Sequence, residues 1–279
     1  MTEYLYKETD NLSALITAQP QLLLTLSHFS IPMGFGDKTI AQVCAEHGIE
    51  PKFFLLICEV YSNDNYMPSA AMLRSTPMEG LVPYLLRSHD YYLNRRLPHI
   101  GHHLEKIADM LPPRAGKAIK KFFSAYIEEV REHFSHEEKI VYPHISNLIG
   151  GKSDNFKIKD FLVSHGNLED KLSDLVQIIF KYLPDCGDNA SSPSKIEGAG
   201  GSMTSAKEQQ SYVSSHSSVA SRQLPYLRGA ADSDSTTSDD AIDMIFDILQ
   251  LSRDLRKHAI IEDKILGPYV KQLEKTTKL

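Results

Sequence analysis

One short pattern occurs twice in this chain and limits what it can fold into. His133-Phe-Ser-His-Glu137-Glu138-Lys139-Ile140-Val-Tyr-Pro143 aligns with His258-Ala-Ile-Ile-Glu262-Asp263-Lys264-Ile265-Leu-Gly-Pro268, so both copies read H-x3-E-[ED]-K-I-x2-P. On a helix, positions i and i+4 share a face. In each copy that face is the apolar one: His133 and Glu137 continue a stripe of Ile119, Tyr126 and Val130, and His258 and Glu262 continue one of Met244, Ile248, Leu251 and Leu255. Ile140 and His144 extend the first stripe, Ile265 and Tyr269 the second. A carboxylate on a core face is very unfavourable unless a positive charge meets it, and a metal cation held between two such helices supplies that charge.

Two further stripes with spacings of three and four run through Val82, Leu86, His89, Leu93, Leu97, Ile100, Leu104 and Ile107, and through Ile158, Leu162, His165, Glu169, Leu172, Val176 and Ile179. The four stripes predict an all-α chain, an up-down-up-down four-helix bundle in which the two repeat-bearing helices sit diagonally and the other two contribute His89 and His165. The donor inventory is then His89, His133, His165, His258, Glu137 and Glu262. Four imidazoles and two carboxylates suit iron or manganese better than zinc, whose closed sites need only four ligands, and six side chains fit a dinuclear centre.

On these residues, together with the stretch His89-Asp-Tyr-Tyr-Leu-Asn-Arg-Arg-Leu97-Pro98 and Ser164-His165, the bundle resembles a hemerythrin-type cation-binding domain. The whole chain outside a Ser-rich segment resembles the di-iron proteins of iron–sulfur cluster repair. The resemblance implies two iron ions, with His89, His133, His165 and His258 as terminal ligands and Glu137 and Glu262 bridging. It also implies a small diatomic ligand, O2 or NO, and damaged iron–sulfur proteins as partners. The alternative it leaves open is a hemerythrin-like module that binds or senses O2 or NO without repair activity. The stretch from Pro20 to Leu56, with Phe35-Gly36-Asp37-Lys38-Thr39 and Cys44-Ala-Glu-His-Gly48-Ile49, resembles the small module that precedes this domain in the family. That module carries two adjacent cysteines where this chain has Gly34 and Phe35.

The expected organisation is a small helical module over residues 1–76 and the bundle over 77–279, interrupted at about 187–239. In the module, Pro20 opens one helix, Asp37 caps a second that Gly48 closes, and Pro51 stands in the first turn of a third. Residues 191–240 hold 14 Ser in 50 and no Phe, too little apolar surface to offset the entropy of ordering, so the insertion reads as a disordered linker.

Lys+Arg 30 against Asp+Glu 36 leaves a net charge of −6, without the basic excess a nucleic-acid partner requires. No apolar run approaches the ~20 residues of a membrane span, and three scattered cysteines make no disulfide framework, so the expected compartment is the cytoplasm. Glu138 and Asp263, one position past the ligand face, are expected to accept hydrogen bonds from imidazole N–H groups or to be solvated. Lys139 and Lys264 read as surface residues, and His144 stands about 16 Å along the axis from His133, too far to join the site. Glu169 imitates the ligand spacing one turn after His165. Tyr92, Tyr126 and Tyr142 read first as core packing and, as the alternative, as hydrogen-bond partners of a bound oxygen species. His99, His102 and His103 read as a solvated helix end, since no carboxylate except Glu105 and Asp109 sits on the matching face, and Cys44 and Cys58 as buried small hydrophobes.

Overall fold

Asn11 opens the first helix, α1 (Leu12–Ala18), its side-chain oxygen accepting from the amides of Ser13 at 2.9 Å and Ala14 at 3.2 Å. A turn at Pro20–Leu22 leads into α2 (Leu23–His28). The cap of α3 (Ile40–Glu46) is Thr39 rather than Asp37: its hydroxyl accepts from Gln42 N at 3.3 Å, and Gln42 Oε1 accepts from Thr39 N at 2.9 Å. This reciprocal box needs a hydroxyl at the cap and an amide three residues on, which Asp37 cannot offer from two positions upstream. Gly48 follows that helix at φ +64, and Pro51 opens α4 (Pro51–Ser62), which α5 (Ala70–Ser75) follows.

The computed structural model describes residues 5–152, 154–164, 168–183 and 233–277, without the side chains of 163, 164 and 233–238. The described residues are all-α, with no strand among them. The long segments are α6 (Leu81–Tyr91) with α7 (Leu97–Met110), α8 (Pro113–His136) with α9 (Tyr142–Ile149), α10 (Ile158–Ser164) with α11 (Leu168–Tyr182), and α12 (Ser233–Ile261) with α13 (Gly267–Thr276). The last begins at Ser233, inside the expected linker; the remainder of that expected linker, up to residue 232, lies outside the described residues.

Three of these pairs are joined without a break by one π-helical turn, at Tyr92–Arg96, Glu137–Val141 and Glu262–Leu266. In each the amide that ends the turn reaches back five residues: Leu97 to Tyr92, Tyr142 to Glu137 and Gly267 to Glu262. The cause is legible in the repeat. Pro98, Pro143 and Pro268 follow directly, and a proline inside a helix lacks an N–H and clashes with the carbonyl four residues back, a conflict that the wider turn relieves. The extra residue also shifts the helix phase. Ile140, expected in the core, is 42% exposed and Val141 is buried in its place, whereas Ile265, at the matching position of the second copy, is buried; ahead of the first π turn, and so apart from any shift it causes, Leu86 is exposed and Leu85 buried.

The helix pairs surround two apolar clusters. Towards one end, α7, α8, α11 and α12 pack in a ring through Leu97, Ile100, Phe123, Val130, Leu172 and Ile248. At the other end Val141, Ile145, Ile261, Ile265 and Val270 join Leu22, Phe53, Leu56 and Leu85, so the segments divided at residue 76 share one core. The π turns that carry Glu137 and Glu262 lie where the clusters meet.

Candidate metal centre

His89 reaches the junction from α6, His258 from the last turn of α12, and Glu137 and Glu262 each from the first position of a π turn. All four are buried, and one donor atom from each lies within 4.8 Å of every other. His89 Nε2 stands 3.0 Å from Glu137 Oε2 and 3.2 Å from His258 Nε2, and His258 Nε2 stands 3.4 Å from Glu262 Oε1. The other oxygen of Glu137 is 2.7 Å from His133 Nε2, so this carboxylate links two imidazoles from two helices.

The far ring nitrogens fix the tautomers. Glu138 Oε1, 2.9 Å from His89 Nδ1, belongs to a carboxylate and can only accept, so Nδ1 carries the proton. Ser88 Oγ donates its one hydrogen to Leu85 O at 2.6 Å and therefore accepts from His258 Nδ1 at 2.9 Å. Both imidazoles then turn Nε2 inward, as metal-ligating histidines do when their other nitrogen is held by an acceptor. His89 is held flat against Phe134, the rings 3.9 Å apart at 7°.

Burial alone would depress the pKa of His89, but hydrogen bonds to Glu137 and Glu138 and the charges of Glu137 and Glu262 raise it overall. For Glu137, burial and the Glu262 charge push upward, and the bonds from His133 and His89 outweigh them to leave it lowered. A proton on His89 thus stands where a cation would stand, and binding a metal would displace it. The quartet fits a metal ion on this ground: two inward nitrogens and two buried carboxylates meet at one point, a mixed N/O set.

Of the six residues expected as ligands, His89, Glu137, His258 and Glu262 converge. His133 touches the group through Glu137 and its side chain is 18% exposed. His165 lies outside the described residues. Glu138 accepts from His89 as expected, and Tyr142 places its hydroxyl 3.2 Å from His89 Nε2. Tyr92 packs edge-on against His258 at 5.8 Å, whereas Tyr126 packs with Phe123. Glu169 is not among the converging donors; it lines a small cavity with His133, Phe134 and His258. Lys264 is more than a surface residue, since its ammonium donates to the carbonyls of Asp64 and Tyr66 and ties that loop to the π turn.

Sequence reasoning missed Ser88 and a buried polar group one turn from His258. Asp254 accepts from Tyr61 Oη at 2.5 Å, faces His28 Nε2 at 3.6 Å, and through its carbonyl accepts from Tyr92 Oη at 3.4 Å. Burial holds Asp254 up at about 6 and His28 down at about 3. The signal was available: Asp254, His258 and Glu262 repeat at i, i+4 and i+8.

Comparison of the chain with protein-family models, with curated proteins and with solved structures gave no match. Among the described residues, no helix is long and apolar enough to cross a membrane.

Proposed function

We propose that this chain is a dinuclear iron protein of hemerythrin-like build, its four helix pairs forming an up-down-up-down bundle, with His89, His133, His165 and His258 as terminal ligands and Glu137 and Glu262 bridging. The observation that carries this reading is the meeting of two inward-facing Nε2 atoms with two buried carboxylates, each imidazole held from behind by an acceptor. Iron held this way supplies redox chemistry and a coordination position for a small diatomic ligand, O2 or NO. The chain's part is to hold the imidazoles in one tautomer, to exclude bulk water with Phe134 and Tyr92, and to offer the Tyr142 hydroxyl as a hydrogen-bond partner within the site. On the resemblance, the role is a cytoplasmic stress protein that helps restore iron–sulfur clusters damaged by nitric oxide or oxidants.

A second reading, an O2 or NO sensor without repair activity, is favoured by one observation. Gly34, where the related module has a cysteine, sits at φ +101, a backbone conformation that a cysteine would adopt only with strain. Metal analysis of protein produced with ample iron, with visible spectra before and after exposure to O2 and NO, tests the metal reading. About two irons per chain and a spectrum that responds to either gas are expected; negligible iron, or zinc alone under iron-replete conditions, would overturn it. Recovery of activity in a damaged iron–sulfur enzyme then separates repair from sensing.

A further inference from the structure

Beyond the buried quartet, His99, His102 and His103 crowd one stretch of α7. His99 and His103 are four residues apart, so they share a helix face, and their rings lie 4.7 Å from one another. The carboxylates that follow the pair on α7 are Glu105 and Asp109, and Asp109 is paired with Lys120. The packing of α12 against α7 supplies another: Asp247 Oδ2 lies 3.1 Å from His99 Nε2, and Oδ1 accepts from Arg96 Nη2 at 2.9 Å.

We propose that His99, His103 and Asp247 form a second, surface-exposed site for a divalent first-row transition cation such as Zn2+ or Ni2+. Two imidazoles at i and i+4 are the spacing by which a helix offers both nitrogens to one ion, and a carboxylate from a neighbouring element completes a two-histidine, one-carboxylate set with positions left for water. Arg96 holds the second oxygen of Asp247, as outer partners orient metal-binding carboxylates. Access is open, since the His99 side chain is 51% exposed and Asp247 24%. Without metal the three donors do not yet converge as the buried quartet does, so capture replaces the His99–Asp247 contact and turns the His103 ring toward them. His102 lines the groove shared with Lys120 and Phe123 on the α8 side and is outside the set.

Calorimetric titration of chelator-stripped, full-length protein with Zn2+ tests this. The wild type should take up one more equivalent than a His99→Ala/His103→Ala variant. Asp247→Asn should weaken that equivalent by roughly tenfold or more, and His102→Ala should leave it unchanged. His99→Gln, which keeps a polar surface, should also lose it, and far-UV circular dichroism should be the same for all variants. Equal zinc uptake by the wild type and the double variant, or no zinc bound by the wild type, would overturn the proposal. The buried centre is read separately, as the equivalents that persist in the double variant; none persisting there while the wild type still takes up one would count against that centre alone.

Discussion

Replacing Tyr61 with Phe should destabilise the metal-free protein in a pH-dependent way, because the lost hydroxyl is the hydrogen-bond donor to the buried Asp254 side chain. The carboxyl is 1% exposed, accepts from Tyr61 at 2.5 Å, and has no hydrogen-bond partner on Oδ2, where His28 stands 3.6 Å away. Burial raises Asp254 from 3.8 to about 6, with the Tyr61 bond acting against that rise. At about 1.4 kcal/mol per unit, a native-state pKa raised by about two units makes the ionised form cost about 3 kcal/mol, a cost that disappears as pH falls through 6 toward 3.8. Without Tyr61 the native pKa climbs further. At pH 8 the variant leaves a buried anion without its donor, an expected loss of about 2–3 kcal/mol; at pH 5, where the carboxyl is already protonated, only a neutral bond worth about 1 kcal/mol is lost.

The comparison must be made between wild type and variant at each pH, because His28 works in the opposite direction. Its pKa falls from 6.5 to about 3 through burial, so its neutral state costs stability as pH drops below 6.5. Denaturant unfolding followed by circular dichroism, with a chelator present, gives the difference at pH 5 and pH 8. Equal losses at the two pH values, or a larger loss at pH 5, would show that Asp254 is not the buried anion and would refute the reasoning.

Three further outcomes follow from the same geometry. Glu137→Gln and Glu262→Gln keep the shape but remove the charge, so each should cut iron content and destabilise the metal-loaded protein more than the metal-free one; variants that bind two irons and melt above the wild type would refute the carboxylates' role. Ser88→Ala removes the acceptor behind His258 Nδ1 and should weaken metal affinity by roughly tenfold or more with little change in helicity, checked by competition with a chromophoric chelator. Gly116→Ala would place a Cβ 2.1 Å from the carbonyl oxygen of Ala108, where α8 crosses the end of α7, and should cost about 2 kcal/mol or more in urea unfolding.

What the sequence determined by itself is what depends on neighbours a few residues apart. Spacings of three and four set the helices, the H-x3-E repeat put an imidazole and a carboxylate on one core-facing stripe, and Glu138 was placed behind the ligand face. The prolines six positions after Glu137 and Glu262 also carried the π turns, although that Ile140 is exposed while the matching Ile265 is buried shows only once the helices are packed. Meetings between distant positions belong to the tertiary structure alone. Ser88 lies 170 residues from His258, Tyr61 lies 193 from Asp254, and Asp247 comes to His99 only because α12 packs against α7. A helix stripe tells which side chains turn inward; the height and partner at which each one lands depend on how whole helices pack, and no local spacing encodes that.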